Sequence, residues 1–99
     1  MFSVILRQEA IDDLNDIWNY TFNRWSENQA DRYYSTIKYD CKEIGLNPNL
    51  GRKYFEINKN LLGLKSGKHI IFYHLVSENE IEIIRILHGR MDLKTKLTE

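Results

Sequence analysis

Lys68-His69-Ile70-Ile71-Phe72-Tyr73-His74-Leu75-Val76, followed after Ser77-Glu78-Asn79 by Glu80-Ile81-Glu82-Ile83-Ile84-Arg85-Ile86-Leu87, decides the fold class. Both runs are rich in β-branched and aromatic residues, the types that fit a pleated, half-buried surface. The polar break between them suits a tight hairpin, with Asn79 the residue best able to take positive φ. A two-residue loop at Glu78-Asn79 sets His69 opposite His88, Phe72 opposite Arg85 and Tyr73 opposite Ile84. Strand alternation then places His69, Tyr73, Glu82 and His88 on one face, and His74 and Arg85 on the other. His69 and His74 are an odd number of positions apart, so they cannot share a metal ion on a straight strand. No metal site is expected.

Upstream of the hairpin, Leu61-Leu62-Gly63-Leu64 reads as a weaker strand interrupted by glycine. Residues 47–60 form the longest irregular stretch and hold the only proline, Pro48. Before them the period changes. Ala10, Leu14, Ile17 and Thr21 recur at helical spacing, flanked by Ile11, Trp18 and Phe22, which marks an amphipathic helix with a wide buried face. Asp12, Asp13 and Asp16 lie in its first half, where negative charge suits the helix dipole and solvated side chains are expected. Ser26 with Gln29 forms a capping box that opens a second helix along Ala30, Tyr33/Tyr34, Ile37, Cys41 and Ile44. Gly45 and Pro48 are expected to stop it. So short a connection makes a helical hairpin over residues 8–45. Residues 2–7 read as a first strand.

The order β-α-α-β-β-β predicts a single α+β domain over residues 1–99, with the helical hairpin packed on one face of an antiparallel-rich sheet. Leu14, Ile17, Trp18, Ile37, Phe72, Ile83 and Ile84 are the expected core. A four-stranded sheet with one helical layer leaves its other face or its edges partly uncovered, a surface for a partner.

Ninety-nine residues, 42% hydrophobic and 28% charged, suit one self-standing core and exclude a disordered chain. Fourteen basic residues against fourteen acidic ones argue against a polycationic nucleic-acid or membrane binder. The neutrality hides a division: residues 1–47 hold five Lys/Arg and eight Asp/Glu, residues 48–99 nine and six. An anionic partner would therefore meet the C-terminal half. Cys41 is the single cysteine, which excludes an internal disulfide and a thiolate zinc cluster, and its place on the apolar stripe predicts burial. The apolar start is too short for a signal peptide and no stretch is long enough to span a membrane, so the expected address is the cytoplasm.

Neither a glycine-rich phosphate loop nor a nucleophile elbow is present. What remains is a sheet face with two imidazoles and a phenol near Arg52, Lys53, Lys65, Lys68 and Arg90. Imidazoles move protons near neutral pH and guanidiniums hold phosphates, the minimum kit for RNA cleavage by a neighbouring 2′-hydroxyl. Ordinary sheet histidines and a core tyrosine account for the same residues without chemistry.

Ile17-Trp18-Asn19-Tyr20-Thr21, Trp25 to Ala30, Tyr33-Tyr34, Asn47-Pro48, Gly51-Arg52, His69 to Tyr73 and Ile84 to Asp92 together resemble the ParE toxins of bacterial type II toxin–antitoxin modules. The Ile86-Leu87-His88-Gly89-Arg90-Met91-Asp92 ending is the most specific part and separates this branch from the related RelE ribonucleases. The resemblance implies a RelE/ParE-like fold, a ParD-like antitoxin as partner, and inhibition of DNA gyrase by binding, without catalysis or a cofactor and without sequence-specific DNA contact or a membrane. Arg85, His88, Arg90, Met91 and Asp92 are the expected target-binding residues, because this basic segment follows the last strand and carries the branch-specific positions. Gly89 can break the strand there and turn Arg90 and Met91 outward. A ribosome-dependent endoribonuclease of RelE type is the alternative, with Arg85, His88, Tyr73 and Lys68 as its groups. Two departures weaken it: Leu61 to Leu64 are apolar where family members often carry Tyr and Arg, and His69 stands where such enzymes tend to place arginine. An Arg85–Asp92 ion pair tying down the tail is the purely structural account of the ending.

Overall fold

The computed structural model describes residues 1–98. In chain order the elements are β1 (Ser3–Leu6), α1 (Gln8–Arg24), α2 (Glu27–Leu46), β2 (Arg52–Lys53), β3 (Leu62–Ser66), β4 (His69–Ser77), β5 (Glu80–His88) and α3 (Leu93–Thr98), with a 3-10 turn at Pro48–Leu50. The strands form one sheet in the order β1-β5-β4-β3-β2, in which β1 runs parallel to β5 and all other neighbours are antiparallel. This is the α+β architecture that the periodicities predict.

The helical stripes are buried as their spacing requires. Ala10, Leu14 and Ile17 of α1 and Ile37, Cys41 and Ile44 of α2 pack with Ile71 and Tyr73 of β4 and Ile81, Ile83 and Ile86 of β5 in one apolar cluster. Ser26 caps α2 by accepting the Gln29 N–H at 3.1 Å. Burial pushes the Cys41 thiol up to about 12, so it packs as a small hydrophobe and not as a nucleophile.

Several expectations are corrected. Gly45 does not stop α2, which runs to Leu46. Glycine is needed there because β1 crosses so closely that a Cβ would stand 2.7 Å from the Val4 side chain. The sheet has five strands and not four, because the irregular stretch contributes β2, two residues long and too short to leave a pattern. The hairpin register holds from His69↔His88 to Phe72↔Arg85, then a β-bulge shifts it, so Tyr73 faces Ile83 and not Ile84. The shift also moves Glu82 to the side of His74, whose Nε2 lies 2.9 Å from its carboxylate, while Arg7 donates to the same group at 2.8 Å. Arg7 and then His74 hold the Glu82 carboxyl below the usual carboxylate range. Among the described residues positive φ occurs at Asn60 and Gly67 only, not at Asn79. A second register shift, between Leu75 and Ser77, accompanies the turn instead.

The other sheet face is covered rather than open at its centre. Phe72, Leu87 and Leu61 form a second cluster beneath Tyr54, Ile57, Ile84 and the unpredicted helix α3, which contributes Leu93 and Leu97. Of the expected core, Trp18 and Ile84 are only partly buried. Trp18 sits at the rim because its indole N–H donates to Asp31 at 3.0 Å, while its ring stacks on Phe22. No described helix is long and apolar enough to cross a membrane.

Candidate functional site

The end of β5 and the start of β4 meet the connecting end of the helical hairpin, where α1 passes into α2. Gly67 makes this possible. It takes φ +60 in the β3–β4 turn, and a Cβ there would stand 2.5 Å from the Tyr33 ring. The Tyr33 hydroxyl holds that turn to α2: it accepts the Lys68 N–H at 2.9 Å and lies 2.7 Å from His69 Nδ1. Beside it the Ser66 hydroxyl donates to Asp40 at 2.6 Å. The turn is thereby fixed against α2 by Asp40 and by Tyr33, which the helical pattern alone assigns only to an apolar stripe.

A groove of about 960 Å³ opens at this junction. Tyr20 and Trp25 stand on one wall, and Lys68, His69, His88, Arg90 and Met91 on the other, with Asp16 and Arg24 also lining it. Tyr20 is 61% exposed and Trp25 68%, so both rings face solvent rather than the core. His69 and His88 face each other across the strands, as the register predicts, with ring centroids 5.2 Å apart. The Arg90 N–H donates to His88 Nδ1 at 3.1 Å.

The five residues of the C-terminal segment divide. His88, Arg90 and Met91 line the groove, and Met91 is 45% exposed. Arg85 instead donates through Nε and Nη2 to Asp13 at 2.8 and 3.0 Å, and the same carboxylate accepts the Ile86 N–H at 2.9 Å. Asp13 is therefore not a solvated dipole-complementing charge; it clamps α1 to β5. Arg85 keeps its expected partner Phe72 and reaches α1 along the edge of β5 that β1, paired only with Glu80 to Ile83, leaves open. Asp92 does not pair with Arg85 either. It caps α3, accepting the Thr95 N–H at 3.3 Å and the Thr95 hydroxyl at 2.8 Å, and these bonds hold its carboxyl below the usual range.

Tyr73, the phenol of the ribonuclease alternative, is not in the groove. Its ring is buried, and its hydroxyl donates to the Pro48 carbonyl at 2.7 Å and accepts the Gly51 N–H at 2.9 Å. With Arg85 engaged by Asp13, only Lys68 and His88 of that set share the groove. Tyr20 and Trp25 escape a reading by period, and Tyr33 is read by it only as a member of an apolar stripe. Their legible signals are Gly67, a residue suited to a turn under a bulky ring, and two aromatics at a helix end where no stripe requires them.

Burial, followed by the neighbouring His88, pushes the His69 imidazole from its ordinary 6.5 down to about 4, with Asp13 opposing. The folded chain thus keeps His69 neutral where the unfolded chain protonates it. Stability from this group is present above about 6.5 and lost as pH falls toward about 4. An NMR titration of the His69 ring is expected to show no transition near the ordinary value; a midpoint there would contradict its burial beside His88.

The family described as "ParE toxin of type II toxin-antitoxin system, parDE" matches residues 4–93. A "Toxin ParE1" of Mycobacterium tuberculosis is 33% identical over 93 residues, which is 94% of this chain and 95% of the relative. A "Toxin ParE1" of Caulobacter vibrioides is 32% identical over 92 residues, 93% of this chain and 94% of that protein. Among solved structures, a chain of the "Chromosomal ParDE TA system from P. aeruginosa" superposes with a TM-score of 0.77 at 20% identity, covering 89% of this chain and 96% of its own length. At that identity the superposition is evidence of shared fold.

Proposed function

Since this chain belongs to the ParE family of type II toxin–antitoxin toxins, we propose that it arrests cells by binding DNA gyrase, and that a ParD-like antitoxin neutralises it by forming a complex. The observation that carries the reading is the family match over residues 4–93, which includes the whole segment from Arg85 to Asp92. Inhibition by binding requires no proton-transfer pair and no cofactor. The target contact is assigned to that segment: Arg90 and Met91, beside His88, meet gyrase, while Arg85 and Asp92 shape the segment through Asp13 and Thr95. The toxin acts where gyrase does, in the cytoplasm.

A second cleft supports the antitoxin half. About 860 Å³ of space lies between β1 and α2, lined by Phe2, Val4, Leu6 and Tyr34 and rimmed by Lys38 and Lys42. Such a cleft suits an amphipathic segment with acidic residues that orders on binding. Co-expression with the small protein encoded next to this one is expected to give a co-purifying complex, whereas the toxin alone is lethal or poorly soluble. Failure to form any complex counts decisively against the module.

A further inference from the structure

We propose that the groove between the hairpin end and the β4/β5 strand ends binds a phosphoryl group, with His69, His88, Lys68 and Arg90 around its oxygens and the exposed rings of Tyr20 and Trp25 placed to stack on an attached base. The inference goes beyond the gyrase reading and does not rest on it, although His88 and Arg90 belong to both surfaces.

The proton positions carry the argument. A neutral imidazole has one N–H, and the bond made by one nitrogen decides which nitrogen bears it. His88 Nδ1 accepts the Arg90 N–H at 3.1 Å, so the His88 proton sits on Nε2. For His69 the partner is the Tyr33 hydroxyl at 2.7 Å, a separation typical of a hydroxyl donor. That hydroxyl oxygen already accepts the Lys68 N–H at 2.9 Å, and its own alternative acceptor, the Ser66 carbonyl, is more distant at 3.3 Å. Tyr33 therefore donates to Nδ1, and the His69 proton also sits on Nε2. Among the described residues no hydrogen bond reaches Nε2 of either ring. Two N–H donors from facing rings are left for a ligand that accepts.

The same proton positions disfavour a metal ion, which needs a ring lone pair where each Nε2 carries hydrogen. Charge favours an anion as well. Lys68, Arg90 and Arg24 line the groove against one carboxylate, Asp16, and no described ion pair engages Lys68 or Arg90. Four donors that line one groove, two of them cationic, match the several oxygens of a phosphoryl group better than the two of a carboxylate. Tyr20 and Trp25 add the stacking faces that a nucleotide uses and inorganic phosphate does not.

The test uses the full-length chain released from its antitoxin complex, at fixed ionic strength. Adenosine monophosphate, inorganic phosphate and a Glu-rich peptide are each titrated while the His69 and His88 ring resonances and tryptophan fluorescence are followed. Both phosphoryl compounds are expected to shift both rings. Tighter binding of the nucleotide assigns the source as a nucleotide, and equal binding assigns it as free phosphate; either supports the site. Lys68→Gln with Arg90→Gln should weaken binding by roughly tenfold or more at an unchanged melting temperature. Tyr33→Phe, which keeps the ring and removes the hydroxyl that fixes both His69 and the Lys68 turn, should weaken it by less than the double variant. No ring shift at millimolar nucleotide or phosphate overturns the proposal. So does a response to the peptide only, or nucleotide binding that the double variant leaves intact.

Discussion

Ile37→Ala is expected to lower the unfolding free energy by about 2–5 kcal/mol, the range for removing a large aliphatic side chain from a closed core. Ile37 is fully buried in the cluster that joins α2 to β4 and β5. Its loss removes apolar burial and leaves a cavity between two rigid layers that cannot both collapse into it. A domain of this size is held by only about 5–15 kcal/mol, so a large share of its stability goes with one side chain. Urea unfolding should show the midpoint fall at an unchanged slope. Ile11→Ala, on the same helical hairpin but 38% exposed, is the control and should cost under about 1 kcal/mol. Equal losses at the two positions would mean that the hairpin does not pack on the sheet as described.

Arg90→Ala combined with Met91→Ala is expected to abolish gyrase inhibition while moving the melting temperature hardly at all. Both side chains lie in the exposed turn after β5, where the Gly89 N–H donates to Lys68 O at 3.0 Å and the Met91 N–H to His88 O at 3.0 Å. These bonds are made by the backbone, so truncating the side chains leaves the turn intact and costs within about 0.5 kcal/mol each. At an interface the same truncations remove an arginine and a thioether anchor, which together can weaken binding by roughly a hundredfold or more. The two readouts therefore separate. A fall in stability matching the loss of inhibition would mark the segment as structural instead.

The fold was legible where one residue type repeats at one period. The Ala10-Leu14-Ile17 and Ile37-Cys41-Ile44 stripes and the two β-branched runs at 68–87 report their own burial, and the His69–His88 pairing agrees with the loop length because the two register shifts cancel. Features that depend on two distant segments were not legible. The bulge beside Tyr73 is set by how β4 and β5 pack, and no residue in either strand announces it; it displaces Tyr73 and Glu82 from their expected neighbours. Asp13 reads as a surface charge until Arg85 arrives from 72 positions away. The helix α3 is too short for a period, and its Leu93 and Leu97 acquire meaning only against Phe72 and Leu87. The groove shows both sides of this. Its His88, Arg90 and Met91 were visible as a basic ending, whereas Tyr33 reached it only through the turn that Gly67 allows.

DNA supercoiling by purified gyrase tests most directly the proposed inhibition of gyrase by binding. Toxin released from its antitoxin should block supercoiling, lose that effect when the antitoxin is restored, and leave ribosome-bound messenger RNA uncut in a parallel translation reaction. Unimpaired supercoiling together with cleaved messages, the cleavage stopping on His88→Ala in a folded protein, would contradict the account and put the endoribonuclease in its place.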